Sequence, residues 1–257
     1  MFRASSFRLG MFEQCPRQYK FHYIDDLKRI YARPRPYFTM GDHVHAALRD
    51  FMSVVPMNER TEAKLEQLLR DKWQRNRSGF KDLDDEKQWG EKALAQIRWF
   101  ARNQDLTVTP LMVEEFHETE LSPGITLVGK IDRVDGEPGG SLHIIDYKTG
   151  KIPDRMDSTQ IYIYALILTG EQKLPVSKVS YLYLDAGKLQ TLEPTAGDLE
   201  QAADYVVGAV DRILAETKYP ATINIHCGTC DYLEICPSKA EILELGLGED
   251  NTQFELQ

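Results

Sequence analysis

Between residues 108 and 148 the chain changes from helix-forming to strand-forming, and this block constrains the fold more than any other feature. Val108 to Leu121, Ile125 to Val134 and Leu142 to Lys148 are rich in strand formers. The turn sequences Ser122-Pro123-Gly124 and Gly136-Glu137-Pro138-Gly139-Gly140 separate them. Helical patterns lie on both sides. Pro16 suits the first position of a helix. Thr39 is expected to cap a helix carrying His45, Leu48, Phe51, Met52 and Val55, ended by Pro56. Glu59 to Asn76 and Asp84 to Asn103 are expected helices, as are Ser158 to Leu168 and Leu199 to Glu216. Lys178 to Asp185 reads as a further strand, paired with Leu189 to Leu192 across Ala186-Gly187. The expected fold is one α/β domain over residues 1–245, a mixed central β-sheet flanked by helices. Its parts are helical 1–104, a core at 105–193, and a helix with a cysteine cluster at 195–245. A flexible tail is expected at 246–257.

Within the strand block, Asp146 and Lys148 follow the apolar pair Ile144-Ile145. Alternation places Asp146 and Lys148 on one face and Tyr147 on the other. Gly139 is the midpoint between Asp132 and Asp146, so a symmetric hairpin sets the two aspartates opposite each other. Facing side chains have Cβ atoms roughly 5 Å apart, and two carboxylates that close repel unless a cation lies between them. Carboxylate oxygens suit magnesium or manganese, and Lys148 would lie beside the ion. That set fits phosphodiester hydrolysis, with the lysine orienting water or stabilising the phosphorane oxyanion. The competing reading is a surface hairpin with ordinary ion pairs.

The chain has 257 residues, 42% of them hydrophobic, enough for a sizeable core. Its longest apolar run, Ile161 to Leu168, is too short to span a membrane. The opening MFRASSFRLG has no secretory apolar segment, so a soluble cytoplasmic protein is expected, with cysteines suited to a metal site. The net charge of −9 argues mildly against nucleic acid. The distribution counters that. Residues 1–35 hold eight basic and three acidic side chains, a net +5, which leaves −14 for the remainder. Such a patch could hold a phosphate backbone.

The segment "GKIDRVDGEPGGSLHIIDYKTGK" resembles the core of the PD-(D/E)XK nuclease superfamily in its RecB-like branch. Three further segments resemble that branch: "SSFRLGMFEQCPRQYKFHY", "GDHVHAALRDF" and "QIYIYALIL". The resemblance implies a restriction-endonuclease-like core. It also implies a magnesium or manganese ion held by His45, Asp132, Asp146 and the Tyr147 carbonyl, with Lys148 catalytic. Of Glu114 and Glu115 only one can point inward; Glu114 is favoured, as a supporting residue. His43 and His45 are two apart on a helix and face different ways. Gln160 and Tyr164 are one turn apart and are expected to reach the scissile nucleotide.

Cys15 falls within one of these segments, and the other three cysteines lie in "HCGTCDYLEICPSKA". Cys227, Cys230 and Cys236 form a C-x2-C-x5-C run, and three clustered thiolates need a fourth ligand. Cys15 is the one remaining cysteine. Spacing alone leaves zinc and free thiols open. The arrangement resembles the iron–sulfur nucleases of this branch, AddB-type subunits and CRISPR-associated adaptation nucleases, which implies a 4Fe-4S cluster. The expected activity is a metal-dependent deoxyribonuclease, an exonuclease on single-stranded DNA or DNA ends, working in repair, recombination or CRISPR adaptation with a helicase or repair complex as partner. The alternative is a non-cleaving iron–sulfur or zinc subunit that binds DNA.

Overall fold

The computed structural model describes residues 1–248, so residues 249–257 of the expected tail lie outside the described residues. The strands are β1 (Phe2–Ala4), β2 (Met112–Ser122), β3 (Ile125–Gly136), β4 (Leu142–Lys148), β5 (Val176–Tyr183) and β6 (Lys188–Leu192). The helices are α1 (Ser6–Gln14), α2 (Pro16–Tyr19), α3 (Lys28–Tyr31), α4 (Pro36–Ser53), α5 (Glu62–Arg75), α6 (Leu83–Asn103), α7 (Thr159–Gln172), α8 (Ala196–Ala215) and α9 (Lys239–Glu244). Short polar side chains start several of them. Ser5, Thr61 and Asp82 accept first-turn N–H groups, and Thr195 forms a reciprocal capping box with Asp198.

The expected cap of α4 is a correction. The helix starts three residues before Thr39, because Pro36 takes its first position and fixes φ there. Thr39 is buried in the helix and donates to the Ser78 carbonyl at 2.9 Å.

β3 organises the sheet. β2 runs antiparallel along one edge of it. The other edge is shared: β1 pairs in parallel with residues 125–127, and β4 pairs antiparallel with residues 133–136. β5 then adds in parallel to β4 through the α7 crossover, and β6 pairs antiparallel with β5. The result is a mixed six-stranded sheet with helices on both faces. One apolar core joins the sheet to α1, α7 and α8, and a second joins it to α4, α5 and α6. Isoleucines 144 and 145 divide between them, as alternation requires. No helix among the described residues is long and apolar enough to cross a membrane.

The hairpin register is as expected. Pairs run from Gly136 with Leu142 to Arg133 with Ile145, so one further step sets Asp132 opposite Asp146. Gly139 and Gly140 make the reversal at φ +90° and +84°, where a side chain would be strained.

Candidate active site

Asp132 lies where β3 has lost β1 as a neighbour and has not yet gained β4. Its own carboxylate fills the missing ladder position, with Oδ2 accepting the Tyr147 N–H at 2.7 Å. An N–H and C=O of one strand residue point to the same edge, so the Tyr147 carbonyl also points toward Asp132. On the far side, β2 pairs Val113 with Arg133 and Glu115 with Ile131, which sets Glu114 opposite Asp132. Glu114 has φ +55°, a strained conformation for a residue with a Cβ. Alternation slips here: Ile131 and Val134, three apart, enter the same core. Glu114, Asp132 and Asp146 therefore form a row across three neighbouring strands at a break in the sheet.

α4 brings His45 over this row. Its Nδ1 lies 2.9 Å from Glu114 Oε1 and 3.3 Å from Asp132 Oδ1. One ligand atom from each of His45, Glu114 and Asp132 falls within 4.8 Å of the others, close enough to hold one ion. His43 turns away, to the Asn76 carbonyl at 2.8 Å. Glu114, expected only as support, is thus part of the group, with its carboxylate also paired to Lys130. Asp146 stands beside the group, paired with Lys148 at 2.7 Å. Apart from that ion pair, the buried Asp146 Oδ2 has no hydrogen-bond partner among the described residues. An orphaned carboxylate oxygen next to His45, Glu114 and Asp132 is suited to a hard divalent cation. The donor set fits the ion that the sequence implies.

The electrostatics carry the mark of crowded charge. Burial first, then the Asp132 charge, pushes the Asp146 pKa up to about 6 against the pull of Lys148. Burial would lower the His45 pKa, but the Asp132 and Glu114 carboxylates outweigh it and hold it up to about 10. Glu114 is buried, yet hydrogen bonds from His45 and Lys130 keep its carboxyl below the usual value.

Lys148 is fixed from behind. Its Nζ donates to Gln160 Oε1 at 2.7 Å, and Gln160 Nε2 donates to Tyr164 OH at 2.9 Å. The two residues expected at the scissile nucleotide thus contact Lys148 and each other. Tyr164 is 8% exposed, in the apolar core. It packs so closely on Gly129 that a Cβ there would meet its ring at 2.8 Å. Neither residue lines the open cleft; they form a relay that orients Lys148. The cleft itself has a volume of about 820 Å³ and exposes His45, Glu114 and Asp132 among Arg49, Lys130 and Lys151.

The chain's two ends meet at the cysteines. Cys15, Cys227, Cys230 and Cys236 line one narrow cavity of about 30 Å³. No three of their sulfurs come within 4.8 Å of one another among the described residues. Cys15 Sγ accepts the Thr222 N–H at 3.4 Å, and Cys227 Sγ accepts the Asn224 N–H at 3.3 Å. Burial pushes the Cys230 thiol up to about 11. A residue with no sequence signal ties this lobe to the site: Arg35, just before α4, donates to the Thr229 carbonyl at 2.6 Å and pairs with Asp231 at 3.2 Å.

With this geometry in place, a family profile described as the PD-(D/E)XK nuclease superfamily matches residues 3–237. The chain belongs to that superfamily. Its mixed sheet flanked by helices is the restriction-endonuclease-like fold of PD-(D/E)XK nucleases. Among solved structures, a candidate exonuclease from Eubacterium rectale is similar at TM-score 0.51 and 14% identity, covering 82% of this chain and 79% of its own. The crystal structure of SSO0001 is similar at TM-score 0.46 and 16% identity, covering 92% and 86%. The comparison with curated proteins returns no significant match. Membership makes the chain a nuclease of a divalent-metal class, and His45, Glu114 and Asp132 could hold such an ion.

Proposed function

We propose that the protein is a magnesium- or manganese-dependent deoxyribonuclease of the RecB-like branch, acting as an exonuclease on single-stranded DNA or DNA ends. His45, Glu114 and Asp132 carry this reading, because their ligand atoms converge at the floor of one cleft, with Asp146 on the neighbouring strand. His45, Asp132, Asp146 and the Tyr147 carbonyl hold the ion, with Glu114 either completing the set or fixing the His45 ring. The ion supplies Lewis acidity at a phosphate oxygen and a hydroxide nucleophile near neutral pH. Lys148, aimed by Gln160, then stabilises the charge that develops on the phosphorane oxygens. The cleft's Arg49, Lys130 and Lys151 offset the charge of the backbone phosphates.

The four cysteines hold a 4Fe-4S cluster with a structural role in this reading. Their common cavity and the N–H donors to two sulfurs support it. The test of the whole reading is end-labelled single- and double-stranded DNA incubated with magnesium or manganese. Stepwise shortening that stops with chelator is expected; no cleavage of any nucleic acid with either metal would reject it.

A further inference from the structure

The active-site cleft does not end at its own wall. A second groove, about 490 Å³, runs from α4 toward the cysteine lobe. The two cavities share Tyr37 and Phe38, so these rings form the saddle between them. Phe38 is 59% exposed, and Phe7, on the wall of the second groove, is 62% exposed. Folding leaves both rings in water although each would contribute to a core, and both face the same continuous channel.

We propose that this channel is the track of a single DNA strand, with Phe38 as the platform on which the base next to the scissile phosphate stacks. The inference rests on the nuclease reading and names how that site selects its strand. The chemistry of the two ends complements a polynucleotide. The cleft end carries Lys151, suited to phosphates, beside Arg49 and Lys130, which pair with Asp50 and Glu114. The saddle and second groove offer ring faces with Gln14, Gln18 and His22, suited to bases. A duplex keeps its base faces covered by their neighbours, so a ring in the channel rewards only an unpaired base. Phe7 continues the track toward the cysteine lobe, where longer strands gain a second contact.

The test compares Phe38→Ala and Phe38→Trp with wild type in full-length protein, in calcium to hold back cleavage. Affinity is read by fluorescence anisotropy for a labelled oligothymidylate and for a wholly abasic strand of equal length. Phe38→Ala should weaken oligothymidylate binding by roughly 5- to 150-fold, the loss of one base stack. Phe38→Trp should retain it, and on the abasic strand all three proteins should bind alike. Because Phe38 is exposed, melting temperatures should match. Equal oligothymidylate affinity for Phe38→Ala and wild type, or an equal loss on the abasic strand, overturns the stacking role while leaving cleavage intact. A wild type that cuts nothing yet shows the Phe38-dependent, base-dependent affinity supports the track and rejects the nuclease reading instead.

Discussion

Replacing Asp146 with Asn in metal-free protein tests the electrostatics of the site through stability alone. The residue is 3% exposed. Burial, then the Asp132 charge, raises its pKa from 3.8 to about 6, with Lys148 opposing. The folded pKa lies above the unfolded one, so the folded state holds this proton more tightly. The cost of the ionised form is therefore absent below about pH 4, grows between about pH 4 and 6, and is complete above. Two pKa units correspond to about 3 kcal/mol. The attraction to Lys148 is already contained in that shift. Asn keeps the shape of the protonated acid, so Asp146→Asn should match wild type at pH 4 and exceed it by up to about 3 kcal/mol at pH 8. For a chain of this length that is roughly 5–10 °C in melting temperature. Thermal melts in chelator across this pH range measure it. Adding magnesium should raise the wild type, by about 2.7 kcal/mol at a hundredfold excess over Kd, and leave the variant unmoved. A pH-independent difference, or a variant that melts lower at pH 8, would refute the argument.

Lys148→Ala should reduce turnover by roughly 10²-fold or more with little change in metal affinity; loss of metal binding in calorimetry would make the lysine part of the ion's site. His45 holds its proton up to about pH 10, so binding of magnesium at pH 7 should release about one proton. Calorimetry in buffers of different ionisation enthalpy reads that number, and no release would remove His45 from the ligand set. Cys15→Ser should lose the iron and the brown colour and lower the melting temperature, by as much as ~4–5 kcal/mol if the cluster staples the two ends as a disulfide would. Iron per chain after anaerobic purification decides it, and unchanged iron, or zinc in the wild type, would overturn the cluster.

The hairpin of β3 and β4 was legible because it depends on local rules. Side chains alternate, a glycine-rich turn fixes the register, and from those Asp132 must face Asp146. Helices α5, α6 and α8 were legible from their helix-forming composition, whereas the cap assigned to Thr39 was not where the helix begins. The role of Glu114 was not, because it arises from a left-handed residue at a break in alternation, and nothing in Val113-Glu114-Glu115 announces φ +55°. The contact of Gln160 and Tyr164 with Lys148 was not legible for a different reason. Their spacing says only that they share a helix face, whereas whether that face meets substrate or Lys148 depends on how α7 crosses the sheet. The basic N-terminal segment also changes meaning in three dimensions. Arg3 pairs with Glu118, Lys20 with Asp25 and Arg35 with Asp231, so much of its charge is held within the fold.

These pairs suggest how the site tolerates its own charge. Around the row, three carboxylates, Glu114, Asp132 and Asp146, face three cations, protonated His45, Lys130 and Lys148. The metal-free site is thus close to neutral, with protein cations standing where the ion is needed. That neutrality is what allows a buried row of carboxylates to fold at all. It also sets what must move when a dication is held. In the reading proposed above, holding a dication would require His45 to give up its proton and Lys148 to part from Asp146. The freed ammonium keeps its hydrogen bond to Gln160, so it stays aimed while its charge becomes available to a phosphate. A lysine that is a counter-ion before loading and an oxyanion partner afterwards needs both neighbours, Asp146 on its strand and Gln160 on α7. Lys148 and Gln160 are twelve residues apart and lie on successive elements, so they meet only through the crossover. Asp146 and Lys148 must therefore share a strand face, and α7 must return over it. This is why the element after a short β4 ending in Asp-Tyr-Lys is a helix, reached through the loop 149–158 and beginning at Thr159.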